Sequence, residues 1–439
     1  MTAVASEPRA QTPAPTPHVS TTMTGLSWAL VVMLVLAAIL NYLDRQTLST
    51  LGPTILDEFH LSKEQWGNIT ASFSLVYIFS SLLGGWWIDR VGVRNGLLIS
   101  TLVWSIAAAG HAFAHSYHDL CFWRMMLALG EGPGAAALAK GMRRVMVPRL
   151  RDTGSALIGF GWAAGALLAP LIAGFIAEKA GWRGAFLATG GLCVLWIPMW
   201  AILAYRPAAP FRSGTVEIIA ANDTGMRRLS LRSFAVWATV LGILCTVSPT
   251  VFINNFLPLY LKEVWHLQQF EITRMYWQPF LATDIGQLLG GLSVFVFVRW
   301  RWRYLDARTL VMTLGMVGAA TILLARTADS GQHAMYWIDL SRLSFQAAYT
   351  VLGVYGIESV AENQTALMSG LMNATFSVCN YVLAPRLGRM VDQSHGYDGV
   401  LLMIAVLPIV GLVLWIVLSR LDQWRHDRQR LLAAPSAMG

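Results

Sequence analysis

Residues 85–94 read Gly85-Trp86-Trp87-Ile88-Asp89-Arg90-Val91-Gly92-Val93-Arg94. This charged turn stands between two apolar runs, 66–88 and 95–113, each near the ~20 residues that cross a bilayer at 1.5 Å per residue. A polar turn so short between runs so apolar joins two membrane helices at one face. The alternation continues both ways along the chain, with further apolar runs at 26–56, 119–147, 153–177, 184–205, 233–261, 275–298, 309–326, 335–358, 366–391 and 400–419. That makes twelve spans and predicts an all-α integral membrane protein. Composition agrees: 55% of the 439 residues are hydrophobic and 13% are charged, against roughly 25% charged in a soluble domain.

An even number of spans leaves both termini on one side, and the positive-inside rule says which. Segments on the N-terminal side hold 21 Lys and Arg and those on the other side hold 6. Both termini are therefore expected in the cytoplasm, as for a multi-pass protein of a bacterial inner membrane. The net charge of +8 becomes a topology signal, since a nucleic-acid surface would gather its basic residues on one soluble domain. Residues 1–24 are rich in Pro, Thr, Ser and Ala and read as a disordered cytoplasmic tail. The apolar run that follows is too long for a cleaved signal, and no small-residue cleavage site follows it. Cys121, Cys193, Cys245 and Cys379 are scattered within spans without metal or disulfide spacing.

Landmarks repeat at a nearly constant offset. Pro53 and Pro258 are 205 residues apart, Gly84-Gly85 and Gly290-Gly291 are 206 apart, and Ala169-Pro170 and Ala384-Pro385 are 215 apart. The pattern divides the chain into a bundle at 25–205, a central cytoplasmic loop at 206–232, a second bundle at 233–420 and a tail at 421–439. Parallel duplication fits a carrier that rocks two halves about a substrate site near the midplane.

The 85–94 turn resembles the loop between helices 2 and 3 of the major facilitator superfamily, G-x-x-x-D-R-x-G-x-R. The resemblance implies a gate in which Asp89 pairs with Arg90, Arg94 or neighbouring arginines. Asn41-Tyr42-Leu43-Asp44-Arg45, the Arg124 to Glu131 stretch, Pro279 to Gly286 and Gly370-Leu371-Met372-Asn373 resemble the anion:cation symporter branch, which includes hexuronate, galactonate and glucarate carriers. The chain departs from that branch in three places. Leu292-Ser293-Val294-Phe295 lacks the acidic residue after the helix 8 glycine pair, Gly161 beside Trp162 replaces a helix 5 glutamine, and Asn254-Asn255-Phe256 replaces a polar-aromatic stretch of helix 7.

A charge at the centre of a span costs at least ~2.5–3.5 kcal/mol on insertion, so each asks for a reason. The cations inside spans are Arg45, Arg124, Arg342, Arg386 and Arg389; the acids are Asp44, Glu131, Asp284 and Glu358, with Asp339 near a helix end. Asp44 and Arg45 fall near the centre of helix 1. Arg124 and Glu131 are two turns apart on helix 4 and share a face, so both acid–base pairs are expected to face one cavity. Buried ion pairs add little net stability, which makes a purely structural role expensive. The functional reading gives Arg45 and Arg124 to an anionic substrate, since a guanidinium fork matches a carboxylate. It gives Asp44 and Glu131 to protons. Tyr42, Tyr77, Trp162, Asn254, Asn255, Gln287 and Asn373 are the further candidate substrate contacts, with Asp284 and Asn380 behind them. Asp339, Arg342, Arg386 and Arg389 read as an outer ion-pair cluster, and Glu358 as a gate to Arg301 or Arg303. Gly130, Gly132, Gly134, Gly161 and Gly165 read as close-packing positions.

The sequence thus predicts a monomeric secondary transporter, a proton-coupled symporter of a sugar acid such as a hexuronate or aldonate. Its partners are the anion, the proton and the bilayer, without cofactor, metal or nucleic acid. An exchanger of phosphorylated solutes would need a helix 7 cation, and 233–261 contains no Lys or Arg. A ligand sensor would need a sizeable soluble domain, and an enzyme a nucleophile–base set or metal spacing; neither is found.

Overall fold

A computed structural model describes residues 23–211, 233–360 and 364–433. The tail reading up to residue 22, the central loop from 212 to 232 and residues 434–439 lie outside the described residues. The first bundle runs α1 Gly25–Thr50, α2 Gly52–Phe59, α3 Lys63–Val91, α4 Val93–Gly110, α5 Tyr117–Val145 and α6 Arg151–Ala204. The second runs α7 Phe234–Thr246, α8 Ser248–Asn255, α9 Leu257–Trp265, α10 Gln269–Met275, α11 Gln278–Arg299, α12 Tyr304–Ala319, α13 Gly331–Glu358, α14 Thr365–Ser394 and α15 Asp398–Ala433. No strand occurs among the described residues.

Local sequence explains where helices begin and break. Thr24 caps α1 by accepting from the Ser27 N–H, and Ser62 with Gln65 forms a capping box at the start of α3. Proline breaks the longer spans: Pro53, Pro249, Pro258 and Pro279 each fall in the first turn of a new helix, where the missing N–H is not needed. α6 makes two crossings that meet at Gly181, whose φ of 71° only glycine adopts without strain. Eight helices are long and apolar enough to cross a membrane on their own, one of them being the doubled stretch Thr153–Ala204. The other three crossings, α5, α13 and α14, fall short because they carry Arg124 and Glu131, Asp339 and Arg342, and Arg386, Arg389 and Asp392.

Within the first bundle, α1 packs along α6 and α4 packs along α5. The glycine rows make these approaches possible. A Cβ at Gly165 would lie 2.3 Å from the Ile39 oxygen, and one at Gly130 would lie 2.6 Å from the Trp104 nitrogen. We name the face on which α1 begins and α15 ends the terminal face, and the opposite one the far face.

Polar bonds between the halves cluster at the far face. The Asp392 carboxylate on α14 accepts the N–H groups of Lys63 and Glu64 at 3.1 and 2.9 Å. Arg389 pairs with Glu64, Lys262 with Asp57, and Lys63 with Glu263 at 3.1 Å. Gly67 and Gly388 let α3 and α14 touch backbone to backbone; a Cβ at Gly388 would stand 2.0 Å from the Lys63 oxygen. Nearby, Glu58 is tied to Trp182 and Arg183. Burial raises its pKa, but these donors outweigh burial and hold the carboxyl below its usual range. At the terminal face the ion pairs among the described residues join helices of the same half: Lys140 with Asp89, Arg308 with Glu358, and Arg420 with Asp306. Among the described residues, therefore, the polar ties between the halves stand toward the far side.

Four sequence expectations are corrected here. Asp89 pairs with Lys140 on α5 at 2.6 Å, because Arg90 stacks on Trp86 and Arg94 on Tyr205. Glu358 pairs with Arg308, since Arg301 sits in a left-handed turn and Arg303 precedes α12. Arg342 does not join an outer cluster: eleven residues into α13, about 16 Å from its start, it is buried and donates to Thr250 and Thr283. Gln287 is exposed; the packed face of α11 carries Ala282, Gly286 and Gly290, and the next residue is about 100° away.

If the α3–α14 contact holds the far face shut, Gly388→Val should open it without unfolding either half. Spin labels at His60→Cys and His266→Cys, read by double electron–electron resonance, should move apart. Unchanged distances would show that the closure rests elsewhere.

Candidate functional site

Between the two halves lies a cavity of about 530 Å³. Its first-half wall is a set of helical stripes. Asn41, Tyr42, Arg45, Gln46 and Ser49 come from α1, and Thr70, Phe73, Ser74, Tyr77 and Ser81 from α3. Arg124 of α5 and Trp162 of α6 complete that side. The second-half wall is neutral, with Asn254 and Asn255 of α8, Tyr349 of α13, and Asn373, Phe376, Ser377 and Asn380 of α14. The stripes recur every three to four residues, as one helix face must. Leu82, Ala135, Ala136 and Gly370 carry the lining toward the terminal face.

One ion pair organises the charged wall. Arg45 Nε donates to Glu131 Oε2 at 2.9 Å, and its Nη2 bonds the same oxygen. Glu131 is fully buried behind the wall, whereas the Arg45 side chain is 20% exposed into the cavity. Aromatic faces surround that guanidinium: its Cζ lies 4.8 Å from the Tyr42 ring, 4.8 Å from Phe73 and 5.0 Å from Tyr77. Phe73 is shared, since Arg124 Cζ is 5.0 Å from the same ring. Cation–π contact holds both forks in place without neutralising them. Arg124 donates to the Arg45 carbonyl oxygen at 3.3 Å and forms no ion pair with a carboxylate among the described residues. Arg124 is thus a buried guanidinium beside a polar cavity.

Asp44 stands apart from this arrangement. It does not line the cavity; it turns toward α6 and accepts from Cys193 Sγ at 3.0 Å, with Oδ1 unpartnered. Asn41, Tyr42, Arg45 and Gln46 set the cavity face of α1, and Asp44 lies off that face, against α6. The expectation of two acid–base pairs facing one cavity is therefore corrected to one pair and a separate buried acid. Of the substrate candidates, Tyr42, Arg45, Tyr77, Arg124, Trp162, Asn254, Asn255 and Asn373 line the cavity, and Gln287 does not. Gln46, Ser49, Thr70, Ser74 and Ser377 were not singled out in the sequence. The polar i, i+4, i+8 row of Asn41, Arg45 and Ser49 in an otherwise apolar helix was the signal that could have found the α1 members.

Comparison with known proteins follows the same lines. Residues 34–357 match the family model described as Major Facilitator Superfamily. The hexuronate transporter of Escherichia coli (strain K12) is 24% identical over 412 residues, covering 90% of this chain and 94% of that protein. The galacturonate transporter of Dickeya chrysanthemi is 26% identical, covering 68% of this chain and 91% of its own length. Among solved structures, a bacterial homolog of the human lysosomal transporter Spinster, in an inward-facing and occupied conformation, aligns with a TM-score of 0.76 at 17% identity, covering 91% of this chain and 98% of that one.

The Lys140 partnership makes a sharp expectation. Asp89→Asn and Lys140→Gln should each slow transport, and the double variant should be no slower than the worse single. Additive losses would mean that Asp89 acts through another partner.

Proposed function

The chain belongs to the Major Facilitator Superfamily; it is a transporter and not an enzyme, and we propose that it is a proton-coupled symporter of a sugar-acid monoanion. Hexuronates and aldonates are the class we assign to the cavity, with the proton as the only coupling ion. The single observation that carries this reading is the charge balance of the wall. Arg45 and Glu131 cancel each other. Asp44 lies outside the cavity lining, turned to the Cys193 thiol of α6, and does not pair with the wall's guanidiniums. Arg124 is left, one positive charge facing one carboxylate. The neutral Asn, Ser and Tyr groups opposite suit hydroxyls, and the curated relatives named for hexuronate and galacturonate support the same class.

Coupling follows from competition. A substrate carboxylate entering from the terminal face reaches the Arg45 guanidinium at the level of Glu131, with Arg124 two turns of α5 deeper. As Arg45 turns toward the substrate, Glu131 loses its partner inside a dry bundle, where a lone carboxylate takes up a proton. Substrate and proton therefore bind together, and the loaded centre carries less net charge when the halves rock. A second cation on the C-terminal wall, which an exchanger of phosphorylated solutes would use, is missing from the cavity lining. The 21 to 6 asymmetry of basic residues supports an inner-membrane protein with both termini in the cytoplasm.

Uptake by proteoliposomes of a panel of sugar acids, with and without a pH gradient, tests the class. Arg124→Lys should weaken binding at least tenfold, about 1.4 kcal/mol, because a point charge cannot replace the fork; wild-type affinity would remove Arg124 from the site. Asp44→Asn and Glu131→Gln, which mimic the protonated acids, should abolish pH-driven accumulation while at least one still exchanges substrate. Variants that are stable and still concentrate substrate would show that these acids do not couple.

A further inference from the structure

The turn from α11 to α12 reads Arg299-Trp300-Arg301-Trp302-Arg303-Tyr304, three arginines alternating with three aromatic residues. α11 is 22 residues long, about 33 Å at 1.5 Å per residue. It therefore uses up the ~30 Å of hydrocarbon and delivers this turn to the interface at the terminal face. All six residues are exposed, Trp300 at 66%, Trp302 at 46% and Tyr304 at 58%. Along α11 the exposed residues Leu281, Ile285, Leu288, Leu292 and Phe295 mark a lipid-facing stripe outside the substrate cavity. They recur every three or four residues, and the next step of the row is Arg299. A cationic cluster thus stands at the end of an apolar track.

The neighbouring acids are already taken. Asp306 pairs with Arg420 and Glu358 with Arg308, and Arg299, Arg301 and Arg303 form no ion pair among the described residues. The corresponding turn of the first half is different, since it holds an acid, Asp89, and its Arg90 and Arg94 stack on Trp86 and Tyr205. The backbone adds a second observation. Trp302 N–H donates to the Phe297 oxygen at 3.1 Å and Arg301 N–H to the Val298 oxygen at 3.0 Å, the paired bonds that close a helix around a left-handed residue. Arg301 holds that place at φ 65°, where glycine is the usual occupant. The turn gains nothing in backbone freedom from an arginine there, so the use of Arg301 lies in its exposed guanidinium. Phe297 packs against Trp302 at 5.5 Å and Trp300 at 6.0 Å, which fixes the turn. α12 then begins at Tyr304 without a side-chain cap, leaving the N–H groups of its first turn open to an anion.

We propose that this turn binds the headgroup phosphate of an anionic phospholipid, whose acyl chains lie along the Leu288, Leu292 and Phe295 stripe. A guanidinium fork matches two phosphate oxygens, and indole and phenol rings sit at headgroup depth. Basic residues clustered at the end of a span attract anionic lipid. A soluble organic phosphate shares the headgroup chemistry but cannot use the apolar track. The site is separate from the substrate cavity and does not depend on the symport reading.

Native mass spectrometry of the full chain in detergent, with phosphatidylglycerol or phosphatidylcholine added, tests the site. Wild type should retain phosphatidylglycerol at least fivefold better than phosphatidylcholine. The triple variant Arg299→Gln, Arg301→Gln, Arg303→Gln should lose at least fivefold of that retention. The triple variant Arg143→Gln, Arg144→Gln, Arg149→Gln removes three exposed arginines of the same face, from a stretch without aromatic residues, and should stay within twofold of wild type. Equal losses in the two triples, or no lipid preference in wild type, overturn the proposal. Glycerol phosphate at the lipid's concentration should not displace the lipid; displacement would assign the turn to a soluble phosphate and overturn it too. Arg301→Gly separates binding from folding. Relief of the left-handed position should leave the melting temperature equal or higher, while phosphatidylglycerol retention falls at least twofold. Unchanged retention, or a fall that comes only with a lower melting temperature, counts against the site.

Discussion

The bond between Arg45 and Glu131 is the constraint from which the rest of the site follows. It joins α1 to α5 behind the cavity wall and consumes the one carboxylate that could have neutralised the wall's guanidiniums. Arg124 is left as a buried cation, held by the Phe73 ring face and a carbonyl oxygen. Buried pairs of this kind seldom repay their desolvation in stability. Their use is that either member can be bid for by something else. In the proposed cycle a substrate carboxylate bids for Arg45 and a proton for Glu131, which links the two ligands through one bond.

The closure of the far face gives that link a direction. Asp392, Glu64, Arg389, Lys63, Glu263, Lys262 and Asp57 tie the halves on one side, and glycines at 67 and 388 let the backbones meet. The Asp89–Lys140 and Arg308–Glu358 pairs remain within their own halves. Transport by rocking needs the far-face ties to break as the terminal side closes, which exposes the same cavity to the opposite side.

Most of the fold was legible in the sequence, because hydropathy depends on composition and spacing alone. Three crossings were apolar enough to be read only beside their neighbours; α5, α13 and α14 are diluted by the buried charges they carry. The cavity wall was legible where polar residues recur at helical spacing in apolar helices, as from Asn41 to Ser49. Partnerships were less so. Asp89 could have met several basic residues, and the choice of Lys140 depends on α5 running beside the end of α3. Asp44 beside Arg45 looked like a pair in sequence, yet neighbours on a helix diverge, and the acid ended against Cys193. Gln287 was polar on a span whose packed face lies one residue away.

The central claim is that substrate binding frees Glu131 and so brings a proton with it. Isothermal titration calorimetry of galacturonate binding near pH 7, repeated in two buffers of different ionisation enthalpy, counts that proton directly. The account expects uptake of about one proton per ligand bound, with affinity falling as pH rises. The same heat in both buffers, meaning no proton taken up, would contradict it.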